Sequence, residues 1–276
     1  MSKSAVTRST SASGTAGATF KQEVVADRGM VTSNHPLASL AGTEMLVQGG
    51  NAIDAAVATM FALSVVEPMM TSIFGAGFLT IRLADGTATT IDNYATIPGA
   101  AHESMFDPVP GSLDNDVQGA LNDVGYKAVA TPGTMLGWAT ALERYGKLSL
   151  AQVMAPAIRF ARAGFRVSPY LQSIIEMSRF ALARFPASAE VFLPHRQPPA
   201  VGSTLTRNDY AVTLERISRE GPDWLYRGPL GEAVAADMAR NGGILTLEDL
   251  DGYRVYEREP VRGTYRGYEI VSMAPA

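Results

Sequence analysis

Apolar residues recur at helical spacing directly after Asn34-His35-Pro36, where Leu37, Leu40, Ala41 and Met45 share one face. The spacing predicts a helix from Pro36 to about Gln48, with proline at a first position where its missing N–H costs nothing and with Gly49-Gly50 closing it through a left-handed cap. Asn51 then reads as the N-cap of a second helix, Ala52 to about Val66, with Asp54 three residues on to accept from free backbone N–H groups. That helix is apolar nearly all round, so it belongs in the core. Glu67-Pro68 stops it.

Beyond the glycine-containing turn Thr71–Gly77 the period shortens. Phe78–Leu83 and Thr87–Ile91 flank Asp85-Gly86 and read as a β-hairpin. Gly29–Ser33 reads as a further short strand. Pro98–Lys127 is polar and turn-rich, a surface excursion with one short helix near Val117–Asn122. Helices are predicted over 134–145, 149–164, 168–184, 208–220 and 230–240, with the four prolines of Pro186–Gly202 interrupting the series. Val261–Tyr265 and Tyr268–Met273 flank Arg266-Gly267 as a closing hairpin. Strands at both ends with helices between predict an α+β fold whose antiparallel sheet gathers distant segments. Residues 1–22, rich in Ser, Thr, Ala and Gly, read as a disordered tail, and 23–276 as one domain.

Composition narrows the function. A net charge of −4 supplies no basic excess for a nucleic-acid partner. The absence of cysteine excludes disulfides and thiolate chemistry. The longest apolar run, Ala55–Val66, falls short of the roughly 20 residues of a bilayer span, so no membrane partner is expected. No secretory signal is seen, and a cytoplasmic location is expected.

Motif tests are negative. Ala141 stands where the first glycine of a Walker loop belongs, Thr80 occupies the third glycine of a dinucleotide fingerprint, and Gly125 takes the twelfth place of a calcium loop opening at Asp114. His35, His102 and His195 form no metal pair and accompany no nucleophile elbow. They read as surface or turn histidines, with His35 placed to line a site. No metal and no cofactor are expected, and spacing alone yields no reaction.

Several motifs nevertheless resemble, in order and register, the γ-glutamyltranspeptidase family: Gly29–Ala38, Gly49-Gly50-Asn51-Ala52-Ile53-Asp54-Ala55-Ala56, Val65-Val66-Glu67-Pro68, Gly75-Ala76-Gly77-Phe78, Thr131-Pro132-Gly133-Thr134, Gly137-Trp138, Tyr226-Arg227-Gly228 and Glu248-Asp249-Leu250 with Tyr253. The resemblance implies an N-terminal-nucleophile hydrolase with an αββα four-layer core, made as a precursor that cuts itself. The nucleophile is then the new N-terminal threonine of a downstream small subunit, activated by its own α-amine, with backbone N–H groups stabilising the oxyanion. No catalytic residue is expected within these residues, the chain alone is expected to be inactive, and the missing downstream segment is its expected partner. Ala274-Pro275-Ala276 corresponds to the start of a Pro-Pro-Ser-Ser-Gly-Gly-like segment, so the large subunit is expected to be incomplete at its C-terminus.

One departure bears on substrate. γ-Glutamyl-using members carry Asp-Phe-Arg-Glu or similar where this chain has Asp92-Asn93-Tyr94-Ala95. The resemblance makes Tyr94 and Asn93 substrate-binding candidates, with Tyr94 at the place of the arginine that clamps the substrate carboxylate. A phenol cannot supply a bidentate, fixed-charge clamp. The acyl group is therefore γ-glutamyl held by another cation, or a different acyl group, as in cephalosporin acylase-like or oxamate amidohydrolase-like relatives. A catalytically inactive homologue is the further alternative.

Overall fold

The computed structural model describes residues 23–112 and 116–275. The tail expected over 1–22 and the opening of the rejected calcium loop lie outside them. The chain divides into two units, 1–30 and 31–276. In the first, residues 23–30 form neither helix nor strand.

The strand expected over Gly29–Ser33 does not form. Local hydrogen bonding takes over instead: the Ser33 hydroxyl donates to the His35 carbonyl at 2.9 Å and meets the Ser39 hydroxyl at 2.7 Å, an alternative that serine offers the backbone in place of a ladder. Helix α1 (Pro36–Val47) follows, capped by the His35 side chain. Gly49 takes the left-handed conformation at φ +89°, and α2 (Ala52–Val66) starts on a full capping box of Asn51 and Asp54.

Strands β1 (Gly77–Arg82) and β2 (Ala88–Asn93) pair antiparallel around the Asp85-Gly86 turn, with Leu79 opposite Ile91 and Gly77 opposite Asn93. Within the excursion, the short helix expected near Val117–Asn122 is a single 3-10 turn, Gln118–Ala120. Helices α3 (Thr134–Tyr145) and α4 (Leu150–Ala163) lie where the periodicity placed them. Two-residue β3 (Phe165–Arg166) leads into α5 (Pro169–Met177) and α6 (Arg179–Ala183), so the single helix expected over 168–184 is broken at Ser178. Pro186 opens α7 (Pro186–Phe192) where an interruption was expected, because proline disrupts a helix interior and suits its first turn. The chain continues through β4 (Thr204–Leu205), α8 (Asn208–Glu220), α9 (Asp223–Tyr226), α10 (Pro229–Arg240), α11 (Leu247–Gly252), β5 (Tyr256–Arg258), β6 (Val261–Tyr265) and β7 (Tyr268–Ser272).

The sheet order β1-β2-β5 bears out the α+β reading, since β5 joins β2 across more than half the sequence. Strand alternation gives this sheet two faces. Leu79, Ile81, Ile91 and Asn93 share the face that meets α3, and Phe78, Asp92, Tyr256 and Arg258 share the other. On that second face Arg258 Nε donates to Asp92 Oδ2 at 2.6 Å. Behind α3 lies α2, joined through an edge-on Phe61–Trp138 contact with centroids 4.8 Å apart. Among the described residues no helix is long and apolar enough to cross a membrane.

Candidate functional site

The C-terminal end of α2 is where the site begins. Arg207, partly buried, donates through Nη1 to the Ser64 and Val65 carbonyls and lies over the Tyr210 ring at 4.1 Å. A partly buried guanidinium thus occupies the negative end of the helix, and its desolvation pushes its pKa down. The chain leaves α2 through Glu67, whose carbonyl accepts from Met70 N at 2.9 Å. It then turns at Ser72–Gly75, where the Ser72 hydroxyl accepts from Phe74 N at 3.1 Å.

Gly75 docks this turn on α3. Its carbonyl accepts from Gly133 N at 2.9 Å and Thr134 N at 3.0 Å, which satisfies donors that a helix start leaves free. A β-carbon at Gly75 would lie 3.0 Å from both Ser72 O and Thr134 Oγ1, so the approach depends on glycine. Gly137, one turn along α3, lets the helix settle on the end of β2: a β-carbon there would stand 2.4 Å from Asn93 Cβ.

These contacts enclose a cavity of about 350 Å³ whose walls include Met60, Met69, Phe78, Asn93, Thr134 and Trp138, and no charged side chain lines it. Asn93 is 1% exposed, and its Oδ1 has no hydrogen-bond partner. Glu67 Oε2 and Thr90 Oγ1 are likewise buried and unpaired, but neither residue lines the cavity.

Of the two residues singled out by sequence, Asn93 faces the cavity and Tyr94 stands beyond it. Tyr94 is half-exposed, its ring stacked on Phe78 with centroids 5.3 Å apart. Its backbone is fixed at both ends: Tyr94 N donates to Asp92 Oδ1 at 3.0 Å, and Tyr94 O accepts from the Tyr253 hydroxyl at 2.8 Å. Burial, reinforced by Asp92 and Tyr256, pushes the Tyr253 phenol up, which keeps it a donor. Phe78 belongs to both environments, lining the cavity and stacking on Tyr94. The nearby cation, Arg258, is engaged by Asp92. His35 does not line the cavity. Its Nδ1 accepts from Leu37 N at 3.2 Å as a helix cap, and burial lowers its pKa against the opposing pull of Glu67.

Sequence reasoning gave Met60, Ser72 and Thr134 no place in a site, although Thr134 lies in a quoted family motif and Ser72 in the glycine-containing turn. Gly133 and Gly137, four apart and therefore on one helix face, carried the usable signal, since paired small residues mark a close approach.

Comparison with known proteins places this arrangement. A sequence model described as Gamma-glutamyltranspeptidase matches residues 38–276. The chain belongs to the gamma-glutamyltranspeptidase family. It is 49% identical over 257 residues to "Acylase ACY 1 proenzyme" of Pseudomonas sp. (strain V22), covering 92% of this chain and 46% of that protein. To "Glutathione hydrolase proenzyme" of Escherichia coli (strain K12) it is 38% identical, covering 91% of this chain and 43% of that protein. The crystal structure of Helicobacter pylori gamma-glutamyltranspeptidase superposes with a TM-score of 0.86 at 37% identity, over 92% of this chain and 72% of that one. The chain therefore spans about half the length of the curated relatives it matches. Family membership confirms the resemblance read from the motifs and brings the N-terminal-nucleophile hydrolase fold with it.

Proposed function

We propose that this chain is the N-terminal, large-subunit portion of a gamma-glutamyltranspeptidase-like amidohydrolase or acyltransferase, which cleaves γ-glutamyl or related amide bonds through a threonine nucleophile outside these residues. One observation carries the reading: family register runs through residues 38–276, yet this covers only 46% of the acylase relative. The partner is the remaining polypeptide, which supplies the hydroxyl and its activating α-amine. This chain supplies the floor of the acyl site, with Asn93 and Tyr94 on the substrate side.

The test compares the chain expressed alone with the chain joined to a family small subunit bearing the threonine, both assayed on a γ-glutamyl anilide and on acyl anilides. No turnover from the chain alone and turnover from the joined protein is the expected result. Hydrolysis by the isolated chain overturns the placement of the nucleophile.

A second reading concerns the acyl group. The family motif puts Tyr94 where γ-glutamyl-using members carry the clamp arginine, and the nearby Arg258 is paired with Asp92. This favours a non-glutamyl acyl donor. Tyr94→Arg in the joined protein is expected to improve γ-glutamyl use. No gain removes Tyr94 from the clamp position.

A further inference from the structure

We propose that the cavity beside Asn93 binds an uncharged acyl chain carrying an amide or hydroxyl group, with the Asn93 carboxamide as its hydrogen-bonding partner. This deepens the amidase reading and rests on it for the word acyl. The binding event itself needs no nucleophile.

Asn93 sits on the core face of the sheet, in line with Leu79 and Ile91, where a buried polar group is normally hydrogen-bonded. Its Oδ1 has no partner. Gly137 wedges the side chain in place, because the α3 backbone lies so near that even a β-carbon would collide with Asn93 Cβ and Cγ, at 2.4 and 2.5 Å. The carboxamide is thus held in one place with hydrogen-bonding capacity unused. A carboxamide carries an acceptor oxygen and a donor NH2, the complement of a primary amide or an alcohol.

The other walls decide the charge of the ligand. Met60, Met69, Phe78 and Trp138 are apolar, and no charged side chain lines the cavity. A carboxylate or ammonium entering here sheds its hydration with no counter-ion to meet it. An uncharged chain meets thioether and aromatic surface together with the neutral hydroxyl residues Thr71, Ser72 and Thr134, and the unbranched methionines adapt to its shape. At about 350 Å³ the cavity falls at the small end of the range for small-molecule sites, about 300–1,000 Å³.

Trp138 gives a direct readout, being one of two tryptophans. Trp224→Phe leaves it as the lone reporter. Titrating that chain with glutaramide is expected to change Trp138 emission saturably, with Kd on the order of a millimolar for so small a ligand. Glutarate at equal ionic strength is expected to produce no saturable change. Asn93→Ala, and Asn93→Leu as a volume-matched second variant, are expected to weaken glutaramide by about tenfold or more with far-UV circular dichroism unchanged. A flat response to glutaramide in the folded chain, an equal response to glutarate, or undiminished affinity in a folded Asn93 variant overturns the proposal. A positive titration combined with no anilide turnover in the joined protein would sink the amidase reading and leave the cavity assignment standing.

Discussion

Asp54 and Asn93 are both polar, and both are withdrawn from water, at 0% and 1% exposure. Their surroundings differ. Asp54 accepts from Asn51 N at 2.6 Å, from Lys147 N at 2.9 Å and from Leu148 N at 2.9 Å. One carboxylate therefore caps α2 and ties it to the α3–α4 connection, where Asn51 Nδ2 also donates to Tyr145 O at 2.6 Å. The protein finishes every bond that Asp54 requires. At Asn93 it leaves the amide unfinished and places a cavity beside it. Asp54, satisfied by the fold, is a joint between elements; Asn93, left unsatisfied, is a wall of the cavity. The equally unpaired Glu67 and Thr90 do not line it, so an unpaired group marks a wall only where open space adjoins it.

The contrast is broken most readily at Asp54. Asp54→Ala leaves three N–H groups of partly buried hydrogen bonds, those of Asn51, Lys147 and Leu148, without an acceptor, each worth about 1–3 kcal/mol. The expected loss is about 4 kcal/mol, read from the urea midpoint at unchanged m-value. A loss below about 1 kcal/mol would mean that the joint is ornamental and the distinction empty.

Gly137→Ala tests how firmly α3 holds Asn93. Alanine gains about 1 kcal/mol of helix propensity, but its β-carbon meets Asn93 Cβ, which is attached to the β2 backbone and has little room to move. Overpacking costs about 1–3 kcal/mol, so a net loss of about 1 kcal/mol is expected, together with loss of glutaramide binding. Net stabilisation would show that the contact yields.

Tyr253→Phe removes the donor to Tyr94 O while keeping the ring stacked on Tyr226, centroids 5.9 Å apart. A loss of about 1 kcal/mol in denaturant unfolding is expected, typical of one hydrogen bond, along with greater mobility of Tyr94. Asn93→Ala is expected to cost less, under about 1 kcal/mol, because no internal hydrogen bond is lost and an unpaired group is removed. A cost matching that of Asp54→Ala would erase the comparison.

Much of the fold was legible because its signals are local. Caps, turn glycines and apolar spacing located α1, α2, the β1–β2 hairpin, α3, α4, α8, α10 and the β6–β7 hairpin within a residue or two. β5 was missed for the opposite reason: Tyr256–Arg258 has no strand pattern of its own and is a strand because β2 pairs with it. Ser33 and Pro186 misled where one residue type serves two local structures. The site was legible only through resemblance. Asn93 and Tyr94 stood out against a family motif, whereas Met60, Ser72 and Trp138 come together through the docking of Gly75 on α3, and no spacing in the sequence encodes that contact.

His35 offers the smallest and most specific test, because it stands between the two kinds of buried polar group. It is partly buried and finishes one bond, accepting from Leu37 N through Nδ1 at the start of α1. Burial lowers its pKa from 6.5, and Glu67 at the end of α2 pulls the other way without prevailing. The folded state thus favours the neutral ring, while the unfolded chain titrates at the ordinary value. Stability linked to His35 is complete above the unfolded pKa of 6.5 and is lost as pH falls through the lower, folded value. Protonation also places a proton on the nitrogen that caps the helix. Urea unfolding between about pH 7.5 and about pH 5 is expected to show a steeper decline for the wild type than for His35→Asn, which keeps a cap acceptor and cannot titrate. Parallel profiles would show that the ring is hydrated in the fold and that His35 is a cap with no stake in pH.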